Sequence, residues 1–274
     1  MPALPLTLTG QSIYPNMKNL PASLTTLLLL LPFSLPAEEE GKEPSPRVYE
    51  LRTYYAHEGK LDALHARFRD HTCKLFEKHG MRNLGYWVPV QNKDNRLVYI
   101  ISHASRQAAR NSWGAFLGDP DWVAAYKASI KGGKLVRKIE STFLTATDYS
   151  PVLKIEAADP DRLFELRTYV TNEGKRPDIN SRFRDHTCAL FTRHGMTNIL
   201  YCDLMEDQDG ADITLTYLIS HRDAKTRAAS WEGFRKDPDW QAARTASEKK
   251  GPILRKPGGV QSTLLVATDY SPMK

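Results

Sequence analysis

Residues 67–81 read RFRDHTCKLFEKHGM, and residues 182–196 read RFRDHTCALFTRHGM. So unusual a mixture of basic, acidic, His and Cys residues, written twice, marks either a site needed in two places or a duplicated domain. The flanking sequence decides for duplication. YELRTY from Tyr49 matches FELRTY from Phe164, and EGK from Glu58 matches EGK from Glu173, at the same offset of 115. ISH ending at His103 matches ISH ending at His221, and DPDW from Asp119 matches DPDW from Asp237, at an offset of 118. ATDYSP closes both copies, from Ala146 and from Ala267, at 121. The second copy has therefore gained residues twice, in EDQDGAD (206–212) and in KPGGVQ (256–261). Both are Gly-, Asp- or Pro-rich stretches where loops tolerate insertion.

Each copy predicts the order βαββαβ. In the first, residues 47–55 alternate as a strand. Residues 58–79 form a helix whose Leu61, Leu64, Phe68, Leu75 and Phe76 follow helical spacing, with Gly80 as its left-handed cap. Strands follow at 83–90 and 97–103, around the turn QNKDN. A helical region from Ser105 restarts at Asp119-Pro120, Asp as N-cap and Pro at the first helical position. A last strand covers 139–149. Such a unit is ferredoxin-like: α+β, a four-stranded antiparallel sheet with both helices on one face. Two tandem units, 47–151 and 162–272, can bury their open sheet faces against each other. They then form an intramolecular dimeric α+β barrel with helices outside.

The chain has 274 residues, 41% hydrophobic, with a net charge of +6. That supports a buried core and argues against global disorder. Basic and acidic residues interleave, and no nucleic-acid motif accompanies the charge, so no nucleic-acid partner is expected. Cys73, Cys188 and Cys202 are an odd count with no zinc spacing, and no metal site is expected. Residues 1–46 read as a signal-like leader and linker: Lys18, an apolar run over 24–35, then Ala37 before an acidic run. The expectation is export to the periplasm or outside, with cleavage near Ala37 and Met17 as an alternative start; the other reading is cytoplasmic. The apolar run is short for a bilayer, which needs about 20 residues, so no transmembrane span is expected in the mature chain.

The ELRTY strand, the RFRDHT…F…HGM helix, the DPDW helix start and the terminal ATDYSP together resemble the NIPSNAP family of the dimeric α+β barrel superfamily. The resemblance covers nearly all of residues 47–272. It implies the ferredoxin-like fold and the pairing of two domains. The family's biochemical activity is poorly defined. Eukaryotic members are linked to mitochondria and to vesicle or mitophagy signalling, and wider relatives include haem-degrading monooxygenases and small-molecule isomerases. The leader and the two domains depart from the mitochondrial pattern.

Strand alternation nominates Glu50, Arg52 and Tyr54, with Glu165, Arg167 and Tyr169, for the barrel interior, while Tyr49, Leu51 and Thr53 face the helices. Such a cluster is either a clamp with a base and a donor, or an internal ion-pair network. His71 and His79, with His186 and His194, are placed on the sheet-facing side of the helix. About 12 Å of axial separation keeps His71 and His79 from sharing one metal ion. His103 and His221 end the third strand, where they could line a barrel mouth. Trp113, Trp122, Trp231 and Trp240 read as core. No P-loop, Rossmann fingerprint, GxSxG elbow or HExxH is present, and no cofactor is assigned. Two function classes remain. One is a barrel that binds a small molecule between its sheets, extending to a cofactor-independent monooxygenase or isomerase. The other is a non-catalytic protein-interaction module with a structural polar interior. A homo-oligomer of the two-domain chain is compatible with either. A cavity on the order of several hundred Å³ touching Glu50 or Arg52 favours the first. A packed interior with an exposed apolar patch favours the second.

Overall fold

Strand β1 (Val48–Ala56) is rich in β-branched and aromatic residues, which suit a pleated sheet buried on both faces. A computed structural model describes residues 47–158 and 161–274; the expectations about the leader concern residues outside that range. After β1 come helix α1 (Leu61–Arg67), a π-helical turn (Phe68–Thr72) and α2 (Cys73–Lys78), continuous with one another. Then follow β2 (Arg82–Pro89), β3 (Arg96–His103), α3 (Arg106–Gly118), α4 (Pro120–Ser129) and β4 (Val136–Ala146). The second copy repeats this as β5 (Leu163–Val170), α5 (Arg176–Arg182), a π-turn (Phe183–Thr187), α6 (Cys188–Arg193), β6 (Thr197–Leu204), β7 (Thr214–His221), α7 (Ala224–Lys236), α8 (Pro238–Ser247) and β8 (Val260–Ala267). The second helical region is thus two helices, divided where the Asp119 side chain caps α4 by accepting from Asp121 N. Gly80 ends α2 at φ 77°, with Gly195 its counterpart at φ 76°. A Cβ in this conformation costs roughly 1–2 kcal/mol.

The π-turn changes which residues face the sheet. Thr72 Oγ donates to Arg67 O, and Cys73 N bonds Phe68 O five residues back. The wider turn gives a buried stripe of Leu64, Phe68, Thr72 and Phe76, spaced by four. His71 falls one residue off it and is exposed, as is His186. The expectation that these histidines face the sheet is corrected: counting at 3.6 residues per turn does not carry across a π-turn.

Among the described residues, eight strands close into one barrel in the order β1-β3-β2-β8-β5-β7-β6-β4. The copies meet at two antiparallel seams, β2 with β8 and β4 with β6. The intramolecular barrel expected from the sequence is therefore what forms, with helices on its outer face. Between the sheets, Trp87, Ile100, Leu144, Phe164, Leu200 and Leu218 interdigitate as one buried cluster. The residual cavity there, lined by Leu51, Leu166 and Cys202 among others, has a volume of about 10 Å³, room for about one water molecule. Two further cores, one per copy, lie between sheet and helices. The inserted loop after β6 covers part of β4: Met205 N bonds Phe143 O, and Phe143 N bonds Gln208 Oε1.

Candidate functional site

Register decides what surrounds Glu50. In the β1–β3 and β1–β4 ladders, Arg52 lies opposite Tyr99 and Ser141, and directly opposed residues share a face. Tyr99 belongs to the core beneath the helices, so Glu50, Arg52 and Tyr54 face the helices. Leu51 and Tyr49 pack with the barrel-interior cluster instead. The expected orientation is inverted, in both copies. A period of two fixes which residues share a face but not which face it is, and here both faces are covered, one by the helices and one by the opposite sheet.

The Glu50 carboxylate is wholly buried. Oε1 accepts from Arg52 Nη1 at 2.5 Å and Ser141 Oγ at 2.6 Å. Oε2 accepts from Trp113 Nε1 of α3 at 2.8 Å and is 2.9 Å from His103 Nε2. Arg52 stacks over the Trp113 ring at 4.4 Å and reaches Tyr54 Oη at 3.5 Å. In the second copy, Glu165 gathers Arg167 at 2.5 Å, Ser262 at 2.7 Å, Trp231 Nε1 at 3.0 Å and His221 at 3.3 Å. Arg227 of α7 adds a second guanidinium, Nε to Oε2 at 2.6 Å. Its counterpart in the first copy is Ala109, by the offset of 118. Arg167 reaches Tyr169 Oη at 3.2 Å.

Of the residues nominated from the sequence, the structure brings Glu50, Arg52, Tyr54 and His103 together, and likewise Glu165, Arg167, Tyr169 and His221. His103 and His221 lie buried against the carboxylates, not at a barrel mouth. His71 and His186 belong to neither group. Trp113, Trp231, Ser141, Ser262 and Arg227 escape sequence reasoning as members. Only strand register brings the serines opposite the arginines, and only helix packing aims the indoles. His79 bonds Asp119 at 2.7 Å and His194 bonds Asp237 at 2.7 Å, tying each α2- or α6-end to the next helix start. Among the described residues, no group of three or more His, Cys, Asp or Glu could hold a metal ion.

Burial pushes the Glu50 carboxyl up, but hydrogen bonds from His103, the charge on Arg52, Ser141 and Trp113 together hold it down at about 2, from an ordinary 4.5. Glu165 is likewise held well below the usual carboxylate range: burial raises it, and His221, Arg227, Ser262 and Arg167 outweigh that. A carboxyl with a depressed folded-state pKa stabilises the fold above its unfolded pKa. For Glu50 that stability is lost as pH falls from about 4.5 through about 2. The amount is on the order of 3 kcal/mol. Urea titrations across this window should show a steep acid limb, visibly shallower in Glu50→Gln; equal slopes would mean that Glu50 is not ionised in this network.

The family model for NIPSNAP matches residues 49–151 and again 164–272. The chain belongs to the NIPSNAP family. No curated protein matches it. Among solved structures, a protein from Fusobacterium nucleatum whose name proposes a monooxygenase is similar, at 12% identity and a TM-score of 0.55 over 82% of this chain and 94% of that one. A Lactobacillus acidophilus protein whose name proposes the same is similar at 9% identity and a TM-score of 0.53, over 83% and 98%. A NIPSNAP family protein of unknown function from Agrobacterium tumefaciens is 21% identical, with a TM-score of 0.35, over 39% of this chain and 95% of its own. The first two likenesses describe a fold: each of those chains shares with this NIPSNAP chain an α+β barrel architecture that spans both halves.

Proposed function

We propose that this NIPSNAP chain is a non-catalytic binding module, whose buried Glu–Arg–His–Trp clusters pin the helix layer to the barrel and whose contacts are made on its outer surface. One observation carries this reading. A carboxylate offers about four acceptor positions, and on Glu50 four donors already occupy them. A general base needs a free lone pair and a pKa near the working pH; Glu50 has neither. Binding of a small molecule between the sheets meets a second obstacle, since a ligand-sized site needs roughly 300 Å³ or more and that space holds about 10 Å³. No feature of the clusters specifically favours monooxygenase or isomerase chemistry.

Hydrogen exchange at the indole N–H groups tests the reading. If the clusters are structural, the Trp113 and Trp231 Nε1 protons exchange only through global unfolding, with protection equal to the unfolding free energy. Exchange through a low-energy local opening, accelerated in the folded state, would indicate a site that opens to ligands and would end the structural assignment.

A further inference from the structure

The copies are related by rotation about the barrel axis. Advancing four strands around the closed antiparallel order takes β1 to β5, β3 to β7, β2 to β6 and β8 to β4, each with its direction kept. Equivalent turns therefore lie at the same end of the barrel. The α4–β4 and α8–β8 turns share the end at which β1 and β5 finish. They also project furthest. β4 starts at Val136, well before Leu144, where it meets the last residue of β6, Leu204; β8 starts at Val260, before Leu265, where it meets Pro89 at the end of β2. Folding collects at this end charge that the sequence interleaves. Residues 127–138 carry Lys127, Lys131, Lys134, Arg137 and Lys138, all exposed, and no acid. Residues 244–256 carry Arg244, Lys249, Lys250, Arg255 and Lys256 with one acid, Glu248, which is held by Arg182 at 3.2 Å. These two turns hold more positive charge than the whole chain's net +6, so the rest of the chain is net negative. Among the described residues, only Lys138 and Arg244 of these basic side chains are in an ion pair. The acidic loop 206–212 sets back from them: Met205 bonds Phe143 well along β4, and Asp207 pairs with Arg106 at the start of α3.

We propose that this end of the barrel is a docking surface for an anionic lipid bilayer. The proposal rests on the binding-module reading and names its partner. Charge gives the sign: lysines and arginines gathered at one end of a polarised molecule draw it to an anionic surface, and each one near the membrane adds to the attraction. Geometry gives the shape. Two basic turns at one height about a rotation axis define a plane across that axis, and a flat surface meets both at once. Apolar side chains standing among the charges separate a bilayer from a nucleic acid. Tyr126, 40% exposed, precedes Lys127, and Val260, 47% exposed, follows Lys256 at the start of β8. A phosphate backbone offers these side chains no apolar contact, whereas the boundary between headgroups and acyl chains accepts them.

The test is co-sedimentation of the whole chain with phosphatidylcholine vesicles, with or without phosphatidylserine, at low and at high salt. Binding to the phosphatidylserine vesicles should be stronger by about tenfold or more, and should be lost at about 1 M salt, where the screening length falls to about 3 Å. Lys131→Gln with Lys134→Gln in one turn, and Lys249→Gln with Lys250→Gln in the other, change exposed positions. Each pair should weaken binding about thirtyfold without altering the fold. Val260→Thr should weaken binding several-fold through lost apolar contact. Equal binding to both vesicle types, or full binding by either lysine-pair variant, would overturn the proposal. So would release from the phosphatidylserine vesicles by a mixed-sequence DNA duplex at equal charge concentration, which would make the partner a nucleic acid. None of these outcomes alters indole exchange in the clusters, so the two readings fail separately.

Discussion

Glu50→Ala is expected to lower the free energy of unfolding by about 3–5 kcal/mol, the usual result of removing one partner from a buried charge pair. Removing the carboxylate leaves the Arg52 guanidinium, the Trp113 indole N–H, His103 and the Ser141 hydroxyl without their shared acceptor. Arg52 is only 4% exposed, so water cannot replace the lost partner without local opening. Since small domains are stable by only about 5–15 kcal/mol, the variant should have a greatly lowered urea midpoint. Glu165→Ala should be at least as damaging, because two guanidiniums, Arg167 and Arg227, converge on that carboxylate. A loss under about 1 kcal/mol, the worth of an ordinary surface pair, would show that the cluster does not hold the helices to the sheet.

Trp87→Ala should cost a similar amount, about 3–5 kcal/mol, by a different mechanism. Trp87 is 1% exposed and packs against Phe164 across the barrel, with ring centroids 5.3 Å apart. Its fit is close enough to dictate a neighbour: a Cβ at Gly85 would fall 2.2 Å from the indole ring. Truncating it leaves a void that rigid strands cannot collapse to fill. The variant should then take up xenon or benzene, which the native barrel has no room for, since apolar cavities of this kind stay dry and bind such probes. Unchanged stability together with probe binding by the native protein would mean that the interior is already an open chamber.

Much of this architecture is legible in the sequence, and the limits of that legibility are physical. The duplication is explicit in the repeated motifs. Local rules of capping and left-handed glycine then place the element ends at Ser105, Asp119-Pro120 and Gly80 correctly. The pairing of the copies follows from each having one open sheet face. What the sequence does not contain is the sign of the alternation in ELRTY. Leu51 ends up partly buried between the sheets and Arg52 buried beneath α3, and only the other strands' side chains decide which goes where. The π-turn is equally silent, since FRDHT has no local signature that separates it from an ordinary helix, and it moves His71 to solvent. The composition of the Glu50 cluster depends on contacts across 63 residues to Trp113 and 91 to Ser141, distances at which no spacing rule operates.

Closing the barrel within one polypeptide changes what a single mutation can do. In a barrel assembled from two identical chains, every substitution is imposed twice, once in each half, and must be tolerated in both. Here the halves are free to drift apart. One carboxylate is bonded by Arg227 where the other copy has Ala109, and one seam joins Arg176 to Asp203 where the other sets Val88 opposite Val266. Specialisation of one half is thereby uncoupled from the upkeep of the other.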